Sequence, residues 1–270
     1  DKKQLEHELG VDRPIPIQYA RWVGELLQGD LGKSYRYDMR AWTIIKPRLP
    51  VTLELAGLAL LFSVLLGVPA GVVSAARQNR PIDYVLRVLS LAGLSMPSFW
   101  LGMVIILLFV RSLGWIPSVT YVSPFDDLRA NLWQFVVPAL AVGYRSSALI
   151  MRITRSALLE VMREDYIRTA RAKGQRGTLV VWRHALKNAS LPVITLIGIE
   201  FAFLIGGLVV TETVFNLPGV ARYLVDAIQF RDYPVVQNLV MFIAIVVVLA
   251  NLTVDLLYAW VEPRIKYGRA

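Results

Sequence analysis

Five long apolar runs decide what this chain can fold into. They cover approximately residues 51–76, 88–110, 135–153, 191–215 and 235–260, near the roughly 20 residues with which a helix crosses about 30 Å of hydrocarbon. Each is interrupted only by a few Gly, Pro, Ser or Thr, which membrane helices accommodate. Alternating ten-residue segments are absent, which excludes a β-barrel. With 56% hydrophobic and 18% charged residues and a mean hydropathy of +0.52, the composition does not fit an ordinary soluble domain. The sequence predicts an all-α integral membrane protein with five transmembrane helices.

The net charge of +9 has a plain explanation in that setting. Lys and Arg flank membrane helices because cytoplasmic loops retain them, so the basicity does not point to nucleic acid. The chain has no Cys and two His, His7 and His184. Disulfides, thiol chemistry and Cys/His metal sites are therefore not expected. "GDLGKS" at 29–34 ends like a phosphate-binding loop, but that pattern requires Gly five residues before Gly32, where Leu27 stands, and no apolar strand precedes it. ATP binding by this chain is not expected.

Sidedness follows from the loops. Arg77, Arg80 and Arg87, the basic residues from Arg155 to Lys187, and the tail with Arg264, Lys266 and Arg269 fall on one face; Arg129, Arg222 and Arg231 fall on the other. The first face is expected to be cytoplasmic. Residues 1–49 carry nine Lys and Arg and bring the totals to fourteen against twelve, but long translocated segments escape the rule. The expectation is an extracytoplasmic segment over 1–49, a sixth helix before Asp1, both true ends in the cytoplasm, and one integral membrane domain over 50–270. Within the first segment, Tyr19, Trp22, Val23 and Leu26 share a face of a short helical pattern at 17–27. It reads as a small folded element or as an amphipathic helix lying on lipid. No internal repeat is visible.

Between the third and fourth runs lies "EDYIRTARAKGQRGTLVVWRHALKNASLP", residues 164–192. Leu158, Met162, Tyr166 and Ala170 recur every four residues and predict one apolar ridge on a helix continuing from the third run. Glu160, Arg163, Glu164, Arg168 and Arg171 fall on its other faces. Gly174 and Gly177 predict an interruption, 179–188 a second short helix, and Pro192 the start of the next span. Two short helices held between spans make a compact knob suited to docking. The other reading is a solvated basic loop attracted to anionic headgroups.

"DYIRTARAKG" followed by "RHALKNASLP" resembles the cytoplasmic loop of binding-protein-dependent ABC importer permeases, specifically the oligopeptide and dipeptide permease family. "LGVDRPIPIQYARWVGELLQGDLGKSYR", "LPVTLEL", "GLSMPSFWLG", "LGWIPSVTYVSP" and "TETVFNLPGVARYLVDAIQFRDYPVVQ" are similar to that family in the same order, so the resemblance covers essentially the whole chain. It implies the type I ABC importer permease fold, in the bacterial inner membrane. It further implies a coupling loop over about 154–190 seated in an ATPase groove, with Glu164, Asp165, Tyr166, Arg168, Thr169, Ala170, Arg171, Lys173 and Gly174 as the coupling residues. The partners it implies are a homologous second permease forming a heterodimer, two ATPase domains that hold ATP and Mg, and an extracytoplasmic substrate-binding protein. No residue of this chain is expected to be catalytic. Importer permeases at large carry Glu-Ala-Ala six residues before the loop glycine, where this chain has Arg168, Thr169 and Ala170, a departure that resembles the peptide branch. Substrates implied are di- or oligopeptides, with nickel chelates or another small solute as the alternative. A stand-alone secondary transporter would call for an ion-coupling site and inverted repeats, and a membrane enzyme for clustered reactive groups within the spans.

Charges at membrane depth mark functional candidates. Glu54, Arg145, Glu200, Glu212 and Asp255 fall within the runs; Glu54, Glu212 and Asp255 lie nearer their ends, where snorkelling suffices. Glu200 is placed about 13 Å deep. Both a place on the translocation path and an ion pair with Arg145 are open to it. Pro97 predicts a kink, with a role on the path as the less favoured reading. Gly206 and Gly207 permit close packing, within the bundle or between subunits.

Overall fold

The structure, a computed structural model, describes residues 13–114 and 120–261, with side chains up to Leu257. His7, the Trp115–Val119 part of one motif, and Arg264, Lys266 and Arg269 lie outside the described residues. Within them the chain is helical; its one β-type contact is an isolated bridge between Lys33 and Arg40.

Twelve α-helices follow in order. They are α1 (Ile15–Leu27), α2 (Ala41–Ile45), α3 (Leu49–Ala76), α4 (Pro81–Ser95), α5 (Ser98–Leu113), α6 (Leu128–Val161), α7 (Asp165–Ala172), α8 (Gly177–Leu179), α9 (Leu186–Gly207), α10 (Val209–Val214), α11 (Val220–Gln229) and α12 (Tyr233–Val261). A one-turn 3₁₀ segment, Lys46–Arg48, joins α2 to α3, and a π-helical stretch, Val180–Ala185, joins α8 to α9. Among the described residues, four continuous helical units are long and apolar enough to span a membrane: Ala41–Ala76, Leu128–Val161, Gly177–Gly207 and Tyr233–Leu257. The pair α4 and α5 makes the fifth, bent by 103°.

That bend corrects the expected continuous span over 88–110. Pro97 does not kink a helix but precedes the first residue of α5. Met96 and Pro97 are both extended, with ψ of 125° and 136°, because proline drives the residue before it out of the helical region and donates no N–H.

The bundle is organised around α3 and α6, whose backbones approach closely. A Cβ at Gly71 would lie 2.6 Å from Thr154 Cβ and 2.7 Å from the Met151 carbonyl; at Gly67 it would lie 2.7 Å from the Ser147 carbonyl. Small residues thus replace side-chain interdigitation with backbone contact, as membrane helix pairs favour. A Cβ at Gly206 or Gly207, where close packing was expected within the bundle or between subunits, would meet no other described residue within 4 Å. The main core joins Leu55, Ala59, Phe135, Ala139, Ile205 and Phe215.

The segment before the first span divides in two. Helix α1 buries none of its residues, so the small folded element expected around it does not include it. The compact part begins near Leu31, whose carbonyl accepts from Asn238 Nδ2 at 2.6 Å. Ala41, Ile44 and Ile45 then pack on Val220, Tyr223, Val235 and Leu239. Ser34 of the Gly-Lys-Ser decoy donates to the buried Asp232 carboxylate, which also accepts from the Tyr35 N–H at 3.1 Å. This serine fastens the segment to the turn between α11 and α12.

Candidate functional site

At one end of the bundle, α7 and the start of the α8 to α9 unit form the expected knob, with a different internal register. Helix α6 stops at Val161, Glu164 is extended at ψ 147°, and α7 starts afresh at Asp165. The interruption resets the helical phase. Leu158 and Ile167 are fully buried, with Met162 and Ala170 packed beside them, whereas Tyr166 is 41% exposed. The predicted four-residue ridge is therefore corrected at Tyr166: Ile167 is the anchor, resting with Val180, Val181 and Ala185 on Val72 and Ala75 of α3.

The outer face of the knob carries the remaining sequence candidates. Glu164, Asp165, Tyr166, Arg168, Thr169, Arg171, Lys173 and Gly174 are exposed, and Ala170 is partly buried. Tyr166 Oη accepts from Asn188 Nδ2 at 2.6 Å, tying α7 to α9. Gly174, at φ +77°, ends the helix in the left-handed region that glycine tolerates. The second short helix expected over 179–188 is not separate. It runs through the π-helical stretch and past Pro192 into α9 without a break, leaving a knob more compact than a 154–190 loop.

Two charges sit near mid-bundle. Arg145 lies halfway along α6, about 25 Å from either end at 1.5 Å per residue, and its side chain is exposed. Its neighbour in sequence, Ser146, donates to the buried Glu200 carboxylate at 2.6 Å. No ion pair joins Glu200 to Arg145 among the described residues; the serine hydroxyl is Glu200's partner. Pro97 is exposed at the bend and belongs to neither group.

The other end of the bundle is closed by polar fasteners. Glu212 lies past the end of α9 and is fully buried, not snorkelling: Thr52 Oγ1 donates to it at 2.5 Å and the Arg222 N–H at 2.7 Å. Gly219 makes room for it, since a Cβ there would lie 2.1 Å from the carboxyl group. Tyr121 Oη donates to Glu54 Oε2 at 3.0 Å, and Gln134 and Asn131 side chains hold the backbone around Tyr121. Asp255 is exposed on α12.

Sequence reasoning missed Ile167, whose role depends on where a helix breaks. It also missed the Asp83–Arg155 pair described below, whose partners lie 72 residues apart. No local signal marks such a pair; the only hint was an acidic residue in the first turn of a helix, Asp83, two positions after Pro81.

The described residues thus form a multi-pass helical bundle with a compact polar knob between two of its spans. Residues 67–267 match the family of binding-protein-dependent transport system inner membrane components. The chain is 41% identical to the dipeptide transport system permease protein DppB of Alkalihalophilus pseudofirmus, over 97% of this chain and 85% of that protein. It is also 41% identical to the di/tripeptide transport system permease protein DppB of Pseudomonas aeruginosa, over 97% and 84%. Among solved structures, a chain of the inward-facing MetNI methionine ABC transporter superposes with a TM-score of 0.65, at 18% identity, over 81% of this chain and 96% of that one. At that identity the likeness bears on the fold, which is that of type I ABC importer permeases. The chain belongs to the binding-protein-dependent transport system inner membrane component family. It is a multi-pass membrane permease subunit of an ABC importer, working with ATPase subunits and a binding protein, and is not itself the enzyme.

Proposed function

We propose that this chain forms half of the translocation path of a peptide importer, carrying di- or oligopeptides released by an extracytoplasmic binding protein. The relatives' substrates support that class. In this reading the second half comes from a homologous permease, making a heterodimer, and two cytoplasmic ATPases bind ATP and Mg. The knob faces the cytoplasm, residues 1–49 are extracytoplasmic and residues 50–270 form the permease domain.

The observation that carries the coupling role is the polarity of the knob. Ile167 is buried beneath it while Asp165, Arg168, Thr169, Arg171 and Lys173 project from a helix fixed at both ends. Such an element transmits force as a unit, because a packed anchor leaves it two discrete placements instead of continuous flexing. ATP-driven closure of the ATPases would move it and rock α6 and α9 together, biasing inward- against outward-open states.

The path reading rests on Arg145. An exposed guanidinium at mid-span is costly against hydrocarbon, by several kcal/mol, so it faces water or the second permease. There it can meet a peptide's terminal carboxylate as a charge-assisted partner, with Glu200 held behind it.

The test uses the absence of native cysteine. Thr169→Cys in the assembled transporter should crosslink to cysteines scanned along the ATPase groove, with yields that change on ATP addition. Thr169 is preferred to the partly buried Ala170. Absence of any crosslink in a complex shown to be assembled, with uptake independent of ATP, would return the knob to a lipid-facing loop.

A further inference from the structure

We propose that the recess between α4 and α6, at the knob end of the bundle, is a binding site for the phosphate of an anionic phospholipid. The recess has a volume of about 460 Å³ and is lined by Arg87, Val88 and Leu91 of α4 and by Arg152, Arg155 and Ser156 of α6. Two guanidinium groups, those of Arg155 and Arg87, approach one carboxylate, Asp83, and Arg152 lines the same recess.

That carboxylate is already satisfied. Arg155 engages both of its oxygens, at 2.9 and 3.0 Å, and Ser74 Oγ and the Asn79 N–H donate to it as well. Arg87 is left at 3.6 Å from Asp83 Oδ1, beyond a hydrogen bond, and its solvent-shielded Nε has no acceptor. Arg152 is exposed and pairs with no side chain among the described residues. The recess therefore holds about two positive charges in excess, on side chains whose planar forks suit phosphate oxygens. A shielded N–H without a partner carries a desolvation cost that an anion would remove.

The apolar side of the recess selects the source of the phosphate. Val88 and Leu91 are 63% and 56% exposed, one turn apart on α4. They lie on the mid-bundle side of Arg87, so the wall changes from cationic to apolar in the direction of an acyl chain. A free phosphate ion gains nothing from that wall. Basic recesses between helices at the cytoplasmic face suit anionic headgroups, and the leaflet assignment rests on the orientation proposed above.

The test is native mass spectrometry of the intact, purified transporter with phosphatidylglycerol or phosphatidylcholine added. We expect one phosphatidylglycerol retained per copy of this chain, at least tenfold more tightly than phosphatidylcholine. The double variant Arg87→Gln/Arg152→Gln should lose that preference, while Arg152→Lys and the distant Arg129→Gln keep it. Asp83 and Arg155 are untouched, and single Arg152→Gln, at an exposed position, gives a severalfold loss if the double variant fails to assemble. Equal phosphatidylglycerol retention by wild type and variants overturns the site. So does full displacement of the lipid by millimolar inorganic phosphate, which would assign the recess to a soluble anion. Because lipid retention is read separately from uptake, failure here with ATP-driven uptake intact would leave the permease reading standing.

Discussion

Arg155 grips Asp83 with both prongs of its guanidinium, Nε and Nη2 donating to opposite carboxylate oxygens at 2.9 and 3.0 Å. Asp83 is fully buried and Arg155 only 17% exposed, so neither charge relies on water. The pair joins the start of α4 to α6, and Ser74 brings in the end of α3. Removing Asp83 leaves Arg155 largely buried and unmatched, which costs about 3–5 kcal/mol; removing Arg155 costs less, because Asp83 keeps Ser74, the Asn79 N–H and Arg87 at 3.6 Å. Arg155→Met and Asp83→Asn should each lower the thermal midpoint of the detergent-solubilised complex by several degrees. The double variant Asp83→Leu/Arg155→Met should lose less than the sum of the two. Additive losses would mean that the two groups do not act as a pair.

The α3–α6 seam makes a second prediction, about size. At Gly71 an added methyl would sit 2.6 Å from Thr154 Cβ and 2.7 Å from a backbone carbonyl, neither of which can move without separating the helices. Gly71→Ala should therefore destabilise by about 1–3 kcal/mol. Gly57→Ala on the same helix, with nothing within 4 Å, should be neutral or stabilising by up to about 1 kcal/mol. The contrast is read from melting curves of the two variants in parallel, and equal behaviour would refute the close approach.

The reach of sequence reading divides along physical lines. The spans were legible because a 30 Å apolar layer imposes length and composition on any helix that crosses it; three of the five runs fall within continuous helices, and a fourth, 191–215, is broken after Gly207. The fifth was misjudged at Pro97, where the proline ends one helix and starts another with a 103° turn; sequence marks the break but not its angle. The knob was legible as a unit, but its anchor was not. Ile167 replaces Tyr166 because three non-helical residues after Val161 shift the phase, and a periodicity count carried across a break fails. Ser34 with Asp232, like Asp83 with Arg155, joins positions far apart in sequence, where only the fold supplies the partner. Arg145 and Glu200 were both recognised as costly charges, yet Ser146, an unremarkable hydroxyl, is what Glu200 binds.

Tyr121 and Glu54 yield a prediction in pH. Burial first, and then the hydrogen bond to Glu54, push the Tyr121 phenol up to about 12, so it remains a donor throughout the physiological range. A phenol whose native pKa lies above its unfolded value of 10.0 contributes stability fully below pH 10. That contribution is lost as pH rises toward 12, because the native state then binds the extra proton. Tyr121→Phe should cost about 1.5 kcal/mol, by the same amount at pH 6.5 and pH 9, with the difference from wild type shrinking above pH 10. A difference that already varies between pH 6.5 and 9 would place the titrating group elsewhere.

Arg145 offers the sharpest separation of a path residue from a structural one. It is exposed at mid-span, makes no ion pair with Glu200, and adjoins the Ser146 that does bind Glu200. A purely structural role predicts that Arg145→Gln alters assembly or melting and leaves the transport of correctly assembled complexes unchanged. A path role predicts normal assembly and ATP hydrolysis but uptake reduced about tenfold, the equivalent of one lost charge-assisted hydrogen bond of about 1.4 kcal/mol. The loss should be smaller for a peptide with an amidated carboxyl terminus, which presents no anion to the guanidinium, and Arg145→Lys should recover part of it as a point charge without the fork. Uptake of free and amidated peptide by proteoliposomes of the three forms decides the matter: an equal loss for both substrates would place Arg145 outside the contact with the peptide's carboxylate.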